Sequence, residues 1–304
     1  MQKEEFNLLS DNIVSAWRYS NRYSYSCCCP GCHNKAIKSH LLQQHPVLES
    51  ISDGKNKLLE PVDNDIDPRS GDWSFYKIKN VGISNAFQFR LFCSDHDSSL
   101  FKEIETKNSI PESKRDCLLF AFRSACAVRH QEEKRYHIYE YLGDKYPMKE
   151  ISKTFINRMT LVINNLWDAI NGKGDNNYYF RMIKMPSLPL AVSDCVVNES
   201  NSEQCTIFTR NLPFNCLFIN IIPSKENTLL LLGCNNRFDK RGEYRSIIES
   251  IPTGWLAPEY FNDTVKGILL KCNNWCCSPE LLEDKDWNTF FAEYERLKVQ
   301  DKLK

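Results

Sequence analysis

The 304-residue chain lacks several features that assign a protein to a common class at once. No apolar run approaches the length of a membrane-spanning helix, and residues 1–6 are polar and acidic where a secretion signal is basic and then apolar. Lysine plus arginine equals aspartate plus glutamate at 39 each, so no excess charge draws the whole molecule towards nucleic acid or an anionic membrane. We therefore expect a cytoplasmic protein without a membrane partner, in which any nucleic-acid contact is local.

The loops of common nucleotide and hydrolase sites are also missing. The sequence contains no glycine-rich phosphate loop, dinucleotide fingerprint or nucleophile elbow, and it has no internal repeat. It does contain 42% hydrophobic and 12% aromatic residues, enough for a sizeable core, together with fourteen cysteines. Because the chain is long and many of its thiols lie within apolar runs, we expect mostly reduced, buried cysteines rather than a disulfide framework.

Cysteines are concentrated at residues 27–32, where three consecutive thiols precede a Pro-Gly turn and a fourth cysteine. A second cysteine, with a histidine three residues later, lies at 93–96. Two pairs of this kind supply the thiolate and imidazole ligands that close a tetrahedral zinc site. We predict a structural Zn²⁺ with four ligands: Cys29, Cys32, Cys93 and His96. Cys27 and Cys28 remain as neighbours or substitutes.

Composition and hydrophobic spacing predict an α+β protein in three segments. These are a zinc-stabilised module at residues 1–108, a helical segment at 109–172 and an α+β domain at 173–304. Helical spacing at residues 113–142 and 148–170 predicts two amphipathic helices that pack as a pair. Beyond them, short β-type runs separated by proline predict an antiparallel sheet with flanking helices. Its predicted strands are residues 178–183, 190–197, 205–209, 216–222 and 228–234.

The N-terminal module is predicted to begin with a helix over residues 6–17. The spacing of apolar residues then indicates a helix over 36–51, interrupted at the His45-Pro46 step, with His40 near its start. Residues 52–72 are polar and predict an exposed loop or hairpin. Two strands follow, at residues 73–78 and 86–92.

The order of motifs in this module carries a resemblance to a known family. Cys29-x2-Cys32 is followed by Ser39-His40 and then by a strand leading into Cys93-x2-His96-Asp97. This order resembles the zinc-bearing branch of the HNH, or ββα-metal, nucleases, over residues 27–97. Those nucleases pair a Cys-x2-Cys with a later Cys-x2-Cys-His and place an Asp-His pair between them. Residues 36–43 and 92–105 also resemble a bacterial protein family, a likeness that names no activity.

The resemblance to HNH nucleases implies roles for three residues. His40 takes the position of the general base, Asp97 that of the last metal-binding histidine, and Asn85 that of the middle asparagine. Ser39 stands where the family has an acidic residue. The implied activity is hydrolysis of phosphodiester bonds in DNA or RNA with Mg²⁺ or Mn²⁺ as the catalytic ion. By analogy with where such nucleases are common, it would serve bacterial antiviral defence.

The same residues also have structural interpretations. His40 can be a histidine hydrogen-bonded into the zinc module, and Asp97 can cap a helix that starts at Ser98. The alternative function is a non-catalytic zinc-binding protein or nucleic-acid interaction module that acts as the partner of another protein. The function can also reside wholly in residues 178–304. An inward-facing pair of Arg123 with a glutamate would mark a functional groove.

Overall fold

The computed structural model describes residues 3–63, 76–106, 110–143, 148–173, 177–197, 211–239, 241–251 and 258–303. Eight α-helices lie in these ranges: α1 Lys3–Arg22, α2 Ser94–Leu100, α3 Lys102–Glu105, α4 Lys114–Leu142, α5 Met148–Ile170, α6 Glu243–Ser250, α7 Pro258–Lys271 and α8 Lys285–Leu303. The same ranges hold nine strands: β1 Ile37–His40, β2 Lys57–Asp63, β3 Tyr76–Gly82, β4 Gln88–Phe92, β5 Tyr178–Met185, β6 Leu190–Val197, β7 Cys216–Pro223, β8 Thr228–Asn235 and β9 Trp275–Cys277.

Seven of the strands form one sheet, in the order β3-β2-β9-β6-β7-β8-β5, and β1 pairs separately with β4. Every pairing is antiparallel. Strands β2 and β3 come from the first predicted segment, and the other five come from the last. The boundaries predicted near residues 108 and 172 therefore do not separate two sheets, because β2 pairs with β9 across them.

Helices cover both faces of the large sheet. Along β7, Ile219 and Ile221 belong to one buried cluster, while Phe218 and Ile222 belong to the other. This alternation follows from the period of two along a strand, which sends neighbouring side chains to opposite faces. The Phe218 face packs against α4, and the Ile219 face packs under α6, α7 and α8. The predicted α+β class, with an antiparallel sheet and flanking helices, is confirmed.

Helix α4 is the central element of the fold. It packs against α1, α5, β4, β6 and β7. Ser113 accepts a hydrogen bond from the Asp116 backbone N–H, and the Asp116 carboxylate accepts one from the Ser113 N–H, so a capping box starts the helix. Gly143, at φ 86°, follows its last turn. Both predicted central helices are present, and they pack against each other.

The strand β1 corrects the helix predicted over residues 36–51. Apolar spacing there is helical, but Ile37–His40 pairs with Gln88–Phe92, so His40 ends a strand and lies opposite Gln88. Helical turns begin only at Gln44. Hydrogen bonds to a partner far away in the sequence decide this segment, and a local periodicity cannot report them.

Other segments differ from expectation or lie outside the described residues. Residues 57–63 form β2, which pairs antiparallel with β3, so they fit the hairpin alternative of the predicted loop or hairpin and belong to the large sheet. Neither α7 nor β9 was expected. The strand predicted at 205–209 falls outside the described residues, as do residues 64–75 of the predicted loop and first strand. No helix in the described ranges is both long enough and apolar enough to cross a bilayer.

A buried carboxyl group fixes the turn before β4. Phe87 adopts φ 59°, a left-handed conformation that is uncommon for an aromatic residue. Its N–H donates to Glu60 Oε2 at 2.6 Å, and its carbonyl accepts from the Leu41 N–H at 3.0 Å. Burial raises the pKa of Glu60 to about 7, although the bond from Phe87 opposes the shift.

The raised pKa of Glu60 predicts that Glu60→Gln stabilises the protein at high pH. Glu60 is neutral in both states below about pH 4. Between its unfolded pKa of about 4.3 and its folded pKa of about 7, ionisation favours the unfolded chain, so the wild type loses stability as pH rises. Above that window we expect Glu60→Gln to be more stable by on the order of 1–3 kcal/mol.

Denaturant unfolding at about pH 4 and pH 8 measures this difference. Glu226→Gln is the matched control, because Glu226 is exposed in the turn between β7 and β8. A stability difference between wild type and Glu60→Gln that is independent of pH would show that Glu60 titrates normally.

Candidate metal centre

Three thiols and one imidazole converge beside the end of β4. The ligand atoms of Cys27, Cys32, Cys93 and His96 all lie within 4.8 Å of one another. His96 Nδ1 is 3.2 Å from Cys93 Sγ and 3.4 Å from Cys27 Sγ, and the Sγ atoms of Cys32 and Cys93 are 3.9 Å apart. Within the described residues this is the one group of three or more histidine, cysteine or carboxylate ligands.

These separations fit a tetrahedral zinc ion. With Zn–S near 2.3 Å and Zn–N near 2.05 Å, a tetrahedron has S···S edges of about 3.8 Å and S···N edges of about 3.6 Å. The three separations given above lie close to those edges. Three thiolates and a histidine also form a soft and borderline donor set that suits zinc better than magnesium or calcium. The cluster can therefore hold a metal ion such as zinc.

Backbone hydrogen bonds bring the two halves of the group together. The Cys32 N–H donates to the Cys29 carbonyl across a turn in which Gly31 has φ 79°, a conformation that glycine adopts without strain. The Cys28 N–H donates to the Leu91 carbonyl at 2.7 Å, which fastens this turn beside β4. Cys93 follows β4 directly, and the first turn of α2 carries His96.

The group differs from the predicted ligand set by one thiol, since it contains Cys27 in place of Cys29. The Cys27 N–H donates to the Asn34 carbonyl, so Cys27 and Cys32 stand on opposite arms of the turn. Hydrogen bonding from the Cys29 thiol lowers the pKa of Cys27 to about 4, while the same bond raises the pKa of Cys29. The thiolate is the form that binds metal, so the direction of these shifts agrees with the geometry, which places Cys27 and not Cys29 in the group.

Residues outside the group cover it. Trp167 on α5 lies edge-on to the His96 ring, with the ring centroids 6.3 Å apart. Arg129 Nη1 on α4 is 3.8 Å from Cys28 Sγ, and Cys28 is hydrogen-bonded to the buried Cys126. A guanidinium beside the cysteine turn offsets the negative charge that three thiolates would carry.

The expected general base, His40, lies at the end of β1 and is half-buried. Its Nε2 is 3.2 Å from the side-chain nitrogen of Gln88, its partner on β4. Burial lowers the pKa of His40, whereas a hydrogen bond with the Ile83 backbone and the charge of Asp97 raise it. At neutral pH the imidazole is therefore uncharged, as a proton acceptor must be.

The other two expected catalytic residues have different positions. Asp97 is half-buried inside α2, which begins at Ser94, so the interpretation as a helix cap before Ser98 is wrong. Asn85 is exposed in the turn before β4, and its N–H donates to the Gly82 carbonyl. The described part of the chain contains no hydrogen bond between Asn85 and either His40 or Asp97.

The inward-facing arginine is present. Arg123 is 2% exposed, donates to Glu105 Oε1 at 2.9 Å and stacks 3.8 Å from the centroid of the Phe101 ring. Its Nη1 also lies 3.5 Å from the carbonyl oxygen of Leu41, the residue after His40. The sequence analysis named Arg123 with an unspecified glutamate, and the structure identifies that glutamate as Glu105. Arg123 is too buried to reach a substrate, so it positions β1 against α4.

The choice between Cys27 and Cys29 can be tested by substitution. We expect Cys27→Ser to lose zinc or bind it much more weakly, while the matched control Cys29→Ser keeps one zinc ion per chain. Elemental analysis measures the stoichiometry, and Co²⁺ substitution reports the number of bound thiolates through the charge-transfer absorption. Loss of metal from Cys29→Ser together with retention in Cys27→Ser would assign the ligand to Cys29.

Comparisons of the chain with protein-family models, with curated proteins and with solved structures found no match. The resemblance to HNH nucleases therefore rests on the sequence motifs.

Proposed function

We propose that this protein is a metal-dependent nuclease of the ββα type, in which a structural zinc held by Cys27, Cys32, Cys93 and His96 supports a separate hydrolytic site. One observation carries the proposal. Two paired strands, β1 and β4, are followed at once by α2, with His40 on the first strand and Asp97 on the helix. The resemblance implies two strands and a helix in this order, and the strand pairing that supports the proposal joins residues 37–40 with 88–92 despite a long insertion.

His40, Asp97 and Arg123 would each have a separate role. His40, neutral at physiological pH, would accept a proton from the attacking water at Nε2, where the Gln88 amide now lies. Asp97 would contribute a carboxylate to a divalent ion, which when bound stabilises charge on the phosphodiester oxygens. Arg123 would hold the chain next to His40 through its contact with the Leu41 carbonyl.

A single carboxylate is a sparse ligand set, but it is compatible with Mg²⁺ or Mn²⁺. Magnesium keeps several waters and is often bound through one or two carboxylates together with substrate phosphates. Glu105 Oε1 accepts the Arg123 hydrogen bond, so this carboxylate is already charge-paired and is a weaker candidate ligand than Asp97. Substrate phosphate would therefore have to complete the site, and we expect the catalytic ion to bind weakly without nucleic acid.

A second candidate function is a zinc-stabilised binding protein without catalysis, which docks another protein or nucleic acid. It is favoured by the sparse ligation around His40, since the described residues bring no third histidine, cysteine or carboxylate ligand to His40 and Asp97. The equal number of basic and acidic residues points the same way. Bacterial antiviral defence remains the proposed setting for either function, by analogy alone.

The nuclease proposal predicts that His40→Ala abolishes cleavage without loss of zinc. Removal of a general base typically costs about 10²–10⁴-fold in rate. Single- and double-stranded DNA and RNA are incubated with the protein in Mg²⁺ or Mn²⁺, and zinc is measured in each preparation. The matched control is His45→Ala, because His45 is exposed on the insertion and outside the site. We expect that variant to cleave at the wild-type rate.

Two results would reject the proposal. A fully zinc-loaded wild type that cleaves none of these substrates would favour the binding protein. Cleavage at the wild-type rate by His40→Ala would remove His40 from the mechanism, and Asp97→Asn tests the metal ligand in the same assay.

A further inference from the structure

A partly open cavity of about 240 Å³ lies where α1, β2, β4 and α4 meet the segment that leads into β9. Half of its lining residues are apolar or aromatic and half are polar. A cavity of about 150 Å³ can hold one benzene ring, so this one has room for a larger planar ring system. Gln88 lines the cavity and also contacts His40, which connects the cavity to the candidate base.

Two tryptophans line the cavity, but they differ in how much ring surface they present. Trp275 is 1% exposed and stacks on Phe291 of α8 with ring centroids 5.3 Å apart, so its ring belongs to the buried cluster under α8 and offers almost no surface to the cavity. Trp17, on α1, is half-buried and carries the Lys134 ammonium 5.5 Å from its ring centroid. The Trp17 ring is therefore the aromatic surface available to a flat, polarisable ligand.

Polar side chains in the cavity wall use only part of their hydrogen-bonding capacity within the protein. Glu60 Oε2 accepts the Phe87 N–H, and the described residues offer no partner to Oε1. The side-chain nitrogen of Gln131 donates to Asn274 Oδ1 at 2.6 Å, which leaves the amide oxygen of Gln131 as an acceptor. Polar groups that are shielded from bulk water normally have partners, so Glu60 Oε1 and the amide oxygen of Gln131 indicate a ligand or ordered water.

A second layer of contacts fixes these groups. Asp194 is buried and accepts hydrogen bonds from the backbone and side chain of Asn274, the residue that holds Gln131. The left-handed backbone of Phe87 is held between Glu60 and Leu41. Backbone strain maintained by surrounding contacts is typical of binding and catalytic sites. The cavity is therefore built in advance of any ligand.

We propose that this cavity binds a nucleobase. A nucleobase is planar, has an apolar face suited to the Trp17 ring, and carries donors and acceptors around its edge for the carboxyl of Glu60 and the amides of Gln88 and Gln131. Lys134, at the rim with Trp17, suits an attached phosphate. The assignment of the bound base to a substrate strand rests on the proposed function, because it depends on the contact between Gln88 and His40.

Binding without cleavage tests this inference. Wild-type protein, with its zinc and without added Mg²⁺ or Mn²⁺, is titrated by calorimetry with the four nucleoside 5′-monophosphates and with single-stranded pentanucleotides. We expect saturable binding that favours particular bases and is at least ~10-fold weaker in Trp17→Leu, since base stacking on an aromatic ring contributes strongly to binding. Glu60→Gln should weaken binding or change which base is favoured. Glu226→Gln, outside the cavity, should bind as the wild type does.

The outcomes separate this inference from the nuclease proposal. No saturable binding of monophosphates or pentanucleotides would overturn the base site, as would equal binding by wild type, Trp17→Leu and Glu60→Gln. Tighter binding of pentanucleotides than of monophosphates supports a base within a strand, whereas equal binding overturns that assignment in favour of a free nucleotide. Binding without cleavage under any metal condition rejects the nuclease and supports the base site alone. The stability of Glu60→Gln at pH 8 shows whether that variant is folded.

Discussion

Convergence of three thiols and an imidazole at the end of β4 is the constraint on which the N-terminal third depends. Cys27 and Cys32 lie before β1 in the sequence, while Cys93 and His96 lie after β4. The group therefore links the segment that precedes β1 to the segment that follows β4. Unligated thiolates at such separations would repel one another and lose hydration, and a bound cation offsets both costs. His96 is in the first turn of α2, so the same group also sets the position of Asp97, the next residue along that helix.

The metal group is not the sole support of this region, because α4 provides an apolar surface beneath it. Phe92 and Phe101 are fully buried and share one cluster with Phe120 and Phe122 of α4 and with one face of the large sheet. Burial of the Arg123 guanidinium among these rings is costly unless its donors are used. Glu105 supplies the opposite charge and Phe101 a ring face, at distances of 2.9 and 3.8 Å. These polar contacts are directional and therefore fix the orientation of β1 on α4, which apolar packing alone specifies poorly because it is non-directional.

The parts of this fold that sequence could predict are those fixed by local patterns. Helix α5 shows the period of an apolar face, and β6 begins and ends at its predicted residues. Helix α4 was predicted as amphipathic, but residues 116–127 are buried on all sides because the helix is packed at the centre of the fold. Local patterns failed to predict β1, because its helical spacing is overridden by its pairing with β4. They also failed to predict β9, because this strand has only three residues. Spacing also could not separate three consecutive cysteines, because the choice depends on which arm of the Gly31 turn faces Cys93. The cavity was beyond prediction for a similar reason, since its walls come from five separated elements.

Gln88 gives the candidate base and the cavity a physical connection. In the neutral tautomer protonated on Nδ1, His40 accepts from the Gln88 amide at Nε2, the atom that a general base must present to water. Under the proposed function, water can reach Nε2 only when this amide turns away, and the cavity is the space that Gln88 also borders. The amide has two N–H donors and an oxygen, so a ligand frees the imidazole only if it takes the N–H that now points at Nε2. A ligand edge with an acceptor in that position would stabilise the turned amide and favour the reactive form of His40, whereas a ligand that uses the other N–H or the oxygen of Gln88 would leave the contact with His40 in place.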